Sequence, residues 1–260
     1  MNATRDGAAG AAQDAVAVAD SLIYGLQAVA GLIRRDAGRI VTLYLDRELG
    51  RKRAARLPDL DSLTAPVERV PGHELTQLAG TDKHQGVVAR IQASRLLDEA
   101  AAKDLVLGKP EALLLLLDGV QDPRNFGACL RTADAAGVDL VVVGRSRNVG
   151  LTPVVSKVAA GAAETLPVAA VANLARFMRW LGEAGVRLVG TDDQAPVSLY
   201  ETDLKGPLGL VVGAEGQGLR RLTRERCETL VSLPMQGSVE SLNVAVAAGI
   251  CLYEAGRQRA

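Results

Sequence analysis

The chain has 260 residues, of which 48% are hydrophobic and 3% aromatic, and its 30 basic side chains balance 30 acidic ones. Such a composition can bury one large core or two small ones, and zero net charge excludes a protein drawn onto nucleic acid by a global field, leaving that role to local basic patches. Cys129, Cys227 and Cys251 lie far apart, form no CxxC and have only His73 and His84 for company, so neither a disulfide framework nor a zinc site is supported.

In chain order, the first twenty residues are rich in Ala and Gly but interrupted by Asp6, Asp14 and Asp20. With no Leu-rich stretch of signal-peptide type, 1–20 reads as a disordered tail. No stretch approaches the ~20 apolar residues a membrane helix needs, so a soluble cytoplasmic protein without membrane attachment is expected. Leu22, Leu26, Val29 and Ile33 fall at helical spacing, and IVTLYL (40–45) follows as a strand rich in β-branched residues. A basic segment, a short strand around APVERVP, a helix from near His73 and a strand in HQGVVARI (84–91) complete a compact module over 21–92. Residues 93–110 hold a short helical stretch and end in Gly-Lys-Pro, a composition suited to a linker.

Over 111–260 strands and helices alternate: ALLLLLD, a helix near 126–136, VDLVVVG, a helix near 153–163, TLPVAAV, a helix near 173–184, VRLVGTD, then LGLVVG and TLVSLP before a last helix. Near-continuous apolar strands separated by helices require a mostly parallel sheet covered on both faces, so the fold class is α/β. Ligands collect at the carboxyl ends of such strands. Three loops qualify: Asp118 to Gly127 with Arg131 just beyond, GAEGQG (213–218), and 233–249, which runs through Pro and Gly into the last helix. Singly, each has an ordinary explanation. Asn125 and Ser241 suit helix caps, Glu215 suits a turn, and Arg131 can pair with Asp134 on the surface. GAEGQG lacks both the GxGxxG spacing of a dinucleotide site and the Lys-Ser/Thr of a P-loop. Together, at strand ends of one domain, they carry polar groups that apolar packing does not call for.

NFGACLRTADAAG, GLVVGAEGQGL and LPMQGSVESLNVAVAAGICLYE resemble the three motifs of the SpoU/TrmH family of RNA 2′-O-ribose methyltransferases, of the SPOUT class, over roughly 111–257. The preceding module, with YGLQAV and KHQGVVA, resembles the small ribosomal-protein-like RNA-binding domain of this family's 23S rRNA guanosine 2′-O-methyltransferases. Where that domain's first motif usually reads Gly-x-His, Gln27 stands in place of the His.

The resemblance implies a catalytic sheet whose C-terminal segment is threaded into a trefoil knot, with S-adenosylmethionine held in the bend by Gly213, Leu233 and Leu242. It nominates Arg131 to act on the ribose 2′-hydroxyl within a polar shell of Asn125, Glu215, Ser241 and Asn243, with no metal. An arginine stays protonated below a pKa of ~12. Either a neighbouring group and an RNA phosphate make it transiently basic, or it stays cationic and stabilises the developing alkoxide while water takes the proton, the reading favoured here. A homodimer with its active site near the subunit interface is also implied. The stripe Leu242, Val246, Ile250 and Tyr253 serves that interface or ordinary core packing.

For RNA, the run RELGRKRAAR supplies Arg47, Arg51, Lys52, Arg53 and Arg56, either as a phosphate-binding patch or as a solvated helix face. A second cluster, Arg220, Arg221, Arg224 and Arg226, follows the GAEGQG loop. Few aromatics mean that recognition leans on phosphates, 2′-hydroxyls and RNA shape. The expected activity is S-adenosylmethionine-dependent methylation of a guanosine 2′-hydroxyl in large-subunit rRNA. The alternatives are a tRNA guanosine, a resistance-type rRNA adenosine, or a non-catalytic RNA-binding assembly factor; the joint presence of Asn125, Arg131, Glu215, Ser241 and Asn243 opposes the last.

Overall fold

The computed structural model describes residues 20–58, 60, 63–92, 96–146, 149–239 and 241–260. The expected tail over 1–20 lies outside them except for Asp20, which opens the first strand. The N-terminal module runs β1 (Asp20–Tyr24), α1 (Leu26–Asp36), β2 (Ile40–Asp46), α2 (Arg51–Ala54), β3 (Val67–Val70), α3 (Gly72–Ala79) and β4 (Val87–Gln92). Its sheet has the order β1-β4-β2-β3, with β4 antiparallel to both neighbours and β3 parallel to β2. The helix expected from Leu22 begins only at Leu26. Gly25, at φ 93°, breaks the backbone, and the preceding residues pair with β4 instead. Leu26, Val29 and Leu32 then pack on Leu43, Val87 and Ile91.

The larger domain contains α4 (Glu99–Leu107), β5 (Leu113–Asp118), α5 (Pro123–Ala135), β6 (Leu140–Gly144), α6 (Pro153–Ala159), α7 (Ala162–Thr165), β7 (Val168–Val171), α8 (Leu174–Glu183) and β8 (Arg187–Thr191). It ends with β9 (Val197–Ser198), β10 (Leu208–Gly213), α9 (Arg221–Arg224), β11 (Thr229–Ser232) and α10 (Val244–Arg259). The seven strands lie in the order β7-β6-β5-β10-β8-β11-β9, every pair parallel. Strand β5 is buried on both faces: Leu113, Leu115 and Leu117 meet residues of α5 and α10, while Leu114 and Leu116 meet α4 and α8. Burying each such leucine stabilises by about 1.5–3 kcal/mol, which is why a run of five reads so clearly as a central strand.

The segment expected as a linker is, from Leu97 on, part of this domain. Leu97 N–H donates to the Val168 carbonyl at 2.8 Å, its own carbonyl accepts from Ala170 at 3.0 Å, and Asp98 caps α4, whose Ala102 and Val106 enter the core. Residues 93–95 lie outside the described residues. The two modules dock directly. The Arg39 guanidinium bonds the Glu164 carboxylate at 3.1 Å and the Gln92 carbonyl at 2.9 Å, and Glu164 is buried and also accepts from Ser156 Oγ at 3.3 Å.

The strand order sets the site. β5, β6 and β7 step outward to one edge, β8 crosses to the far side, and β10 fills the space between β5 and β8. After β11 the chain returns so that α10 packs on α5 and β10. All carboxyl ends share one edge of the sheet, which brings the loops after β5, β10 and β11 together.

Candidate functional site

Helix α5 starts because Asp122 accepts from Asn125 N–H at 2.8 Å and Pro123 fits its first turn. Asp122, not Asn125, is therefore the cap, and the Asn125 side chain is released for other work. Its Nδ2 donates to Glu215 Oε2 at 3.3 Å, while its Oδ1 accepts from Asn243 Nδ2 at 2.9 Å. Asn243 caps α10 through Oδ1, which accepts from Ala245 N–H at 3.0 Å. With that oxygen committed, Asn243 Nδ2 faces the cluster and also reaches Glu215 Oε2 at 3.5 Å. One residue from each loop thus meets, with the Glu215 carboxylate held by two amide donors. Ser241 is neither cap nor member: it is exposed and bonds no described residue.

The Glu215 loop is fixed at both ends. Gly213 is buried at the end of β10, where an added Cβ would stand 2.1 Å from the Gly218 carbonyl carbon, so only glycine lets the loop fold back. Gly218 N–H then donates to the Ala214 carbonyl at 2.9 Å. At the far end Asp118, the last residue of β5 and 2% exposed, accepts from Arg220 N–H at 2.9 Å and faces Arg220 Nε at 3.4 Å. Asp118 and Arg220 thereby join the first loop to the second. Sequence reasoning gave Asp118 no role, although a carboxylate ending a five-leucine strand signals a buried partner. Asp118, Asp122, Asn125, Glu215, Arg220 and Val244 line a cavity of about 490 Å³, within the range of small-molecule sites. Three carboxylates against one guanidinium make it acidic.

Arg131 is not brought into this cluster. Six residues beyond Asn125 it lies roughly two-thirds of a turn further round α5, exposed and without a hydrogen bond or ion pair to a described residue. It adjoins an open face formed by Ala128 and Thr132 of α5 with Val246, Ile250 and Tyr253 of α10. Val246 is 50% and Tyr253 60% exposed, so the stripe faces outward and the core-packing alternative fails for these two; Ala245, Ala248 and Leu252 hold the core side. Leu233, just after β11, and Leu242, just before α10, are half-buried, and Leu233 packs on the core.

Arg47, Arg51, Lys52, Arg53 and Arg56 are all exposed on and around α2. Arg47 Nε donates to the Arg69 carbonyl at 3.2 Å, and no described carboxylate pairs with the other four. The second cluster is largely committed: Arg224 pairs with Asp192, whose side chain is 7% exposed, at 2.5 Å, Arg221 with Glu225 at 2.6 Å and Arg220 with Asp118, although Arg220 and Arg221 stay exposed. Burial pushes the thiols of Cys129, Cys227 and Cys251 up to about 12, which keeps them protonated and poor nucleophiles. Among the described residues no group of three or more His, Cys, Asp and Glu is placed to hold a metal ion, and no helix is long and apolar enough to cross a membrane.

A parallel α/β domain with a polar cluster and an acidic cavity at its strand ends thus follows an α/β module that carries an exposed basic run. Comparison with known proteins gives it a family. Residues 112–253 match the model of the SpoU rRNA Methylase family, and residues 22–97 match that for RNA 2′-O ribose methyltransferase substrate binding. The chain belongs to the SpoU rRNA methylase family. It is 50% identical over 241 residues to the 23S rRNA (guanosine-2′-O-)-methyltransferase RlmB of Shewanella oneidensis, covering 92% of this chain and 97% of that one. The RlmB of Ralstonia nicotianae is 51% identical over 245 residues, with 92% and 96% covered. Among solved structures, the SpoU methyltransferase AviRb from Streptomyces viridochromogenes in complex with AdoMet matches with a TM-score of 0.68 and 27% identity, covering 92% of this chain and 90% of that one.

Proposed function

We propose that this protein transfers the methyl group of S-adenosylmethionine to the ribose 2′-hydroxyl of a guanosine in 23S rRNA, acting in the cytoplasm. The observation that carries the reading is the meeting of Asn125, Glu215 and Asn243, one from each motif, in a chain half identical to relatives of that activity over nearly their whole length.

The residues present fit the donor. The tight turn at Gly213 leaves loop backbone groups for the adenosyl moiety, the half-buried Leu233 and Leu242 offer it apolar flanks, and the adjoining acidic cavity favours a cation. When bound, S-adenosylmethionine supplies an activated methyl on a sulfonium, so the protein's task is alignment and charge management. Asn125 and Asn243 orient the Glu215 carboxylate. Arg131 stays cationic and stabilises the negative charge that develops on the ribose oxygen as water removes the proton. Ser241, exposed just before α10, stands outside that cluster and would join the polar shell only with substrate bound.

The outward face of Val246, Ile250 and Tyr253 supports a homodimer, which would put Arg131 beside the subunit boundary. Insertion of β10 between β5 and β8, with α10 folding back on α5, supports a C-terminal segment threaded as a trefoil knot. The exposed basic run on and around α2 holds rRNA phosphates, and the presence of this module favours rRNA over tRNA. Incubation with methyl-labelled donor and, separately, unmodified large-subunit rRNA and bulk tRNA tests the reading: label enters rRNA alone. Label in tRNA alone overturns the substrate, and label in neither, with no donor binding by calorimetry, leaves a non-catalytic RNA binder.

A further inference from the structure

A second cavity, of about 450 Å³, opens at the carboxyl ends of β5, β6 and β7 and shares Asp118, Gly119, Val120 and Arg220 with the candidate active-site cavity. We propose that it is a nucleotide subsite, holding the RNA nucleotide next to the methylated guanosine with its base against the Arg220 guanidinium; the proposal rests on the rRNA methylation reading above.

Four observations carry it. The Arg220 guanidinium belongs to both cavities, so a strand that places its ribose in the first carries its neighbouring nucleotide past Arg220 into the second. The charge balance changes between them: the first holds Asp118, Asp122 and Glu215 against Arg220, whereas the second holds Arg220 and Arg221, the latter also paired with Glu225 at 2.6 Å, against Asp118, a less acidic lining that better suits a phosphate-linked occupant. The guanidinium is also pinned, with Nε facing the Asp118 carboxylate at 3.4 Å and Nη2 lying over Gly119, 2.9 Å from where a Cβ would stand. Its side chain stays 45% exposed. Splayed bases of single-stranded RNA stack on aromatic rings or on guanidinium planes, and no aromatic side chain lines this cavity.

The remaining walls fit a base. Leu222, 51% exposed at the mouth, and Val120 and Val143 inside give apolar surface. Asn173 Oδ1 is taken by Arg176 N–H at 3.0 Å, which leaves its amide donors for acceptors on a base edge, and the exposed Ser146 hydroxyl lies on the same rim.

The test uses the full-length protein and an rRNA fragment that the wild type methylates, made also with an abasic nucleotide on either side of the target guanosine. An abasic site on one side should lower kcat/KM for RNA about five- to tenfold in the wild type, the lower end of the range for a lost base stack. Leu222→Glu should lower it similarly on intact RNA, leave kcat at saturating RNA and donor affinity unchanged, and lose nothing further on the abasic RNA. Leu222→Ala, milder for folding, should give the same pattern at smaller amplitude. Indifference of the wild type to both abasic positions, or full multiplication of the two effects, overturns the subsite while methylation itself stands. A wild type that methylates no RNA overturns the underlying reading and the subsite with it.

Discussion

Asp118→Ala tests the join between the first two motif loops. Arg220 is 45% exposed, so on loss of the carboxylate its guanidinium returns to water, and the ion pair contributes under about 1 kcal/mol. The part-buried Arg220 N–H, however, loses its acceptor at 2.9 Å, and an orphaned donor costs about 1–3 kcal/mol. Together these give about 1–4 kcal/mol, or a fall in Tm of roughly 2–16 °C for a chain of this size. The larger effect is kinetic. Freed from β5, the 213–220 loop no longer fixes Glu215 opposite Asn125 and Asn243, and displacement of a reacting constellation by about 1 Å can lower kcat some 100-fold. Asp118→Asn keeps an acceptor for the N–H and should recover most of the stability and part of the rate. Differential scanning calorimetry and single-turnover methyl transfer read the two effects. A variant with lowered Tm but wild-type kcat would refute the positioning role, and an unchanged Tm would refute the hydrogen-bond accounting.

Arg131→Ala should reduce methyl transfer about 100- to 1000-fold, the scale of removing one stabiliser of transition-state charge, with donor affinity by calorimetry unchanged; loss of both together counts against a catalytic role. Gly213→Ala puts a Cβ 2.1 Å from the Gly218 backbone and should destabilise by about 1–3 kcal/mol while weakening donor binding, whereas wild-type donor affinity would show that the tight turn is dispensable. Arg257, then Gln258, holds the Glu254 carboxyl down at about 2 against its ordinary 4.5. A depressed carboxyl contributes stability that is present above its unfolded value and lost as pH falls towards its folded one. The stability gap between wild type and Glu254→Gln should therefore be full at neutral pH and close between pH 4.5 and 2; a gap constant across that range contradicts the linkage.

The large domain was legible where local pattern and burial coincide. The five leucines before Asp118 and the apolar runs at 140–144 and 208–213 announce buried parallel strands, and each appears within two residues of its expected bounds. What failed was set by tertiary contact. The helix expected near 153–163 is split at Ala160 and Gly161, both with positive φ, where α1 of the other module packs closely: the Ala28 Cβ lies 3.1 Å from where a Gly161 Cβ would be. The two-residue β9 is too short to show a period. Leu97 reads as linker because its partners, Val168 and Ala170, lie some seventy residues on. In the site, residue types and loops were visible, but the contact of Asn125 with Asn243 spans 118 positions and depends on β10 entering between β5 and β8. Asp122 as the cap of α5 was readable from its place before Pro123, and recognising it would have released Asn125 for the cluster.

Methyl transfer to a ribose oxygen leaves a direct chemical mark on the RNA. A 2′-O-methyl group blocks alkaline cleavage of the adjoining phosphodiester, so rRNA labelled by this protein should be hydrolysed in alkali and its fragments separated. Label should be confined to an alkali-resistant dinucleotide whose 5′ member is guanosine; label in mononucleotides, the mark of base methylation, would contradict transfer to the ribose.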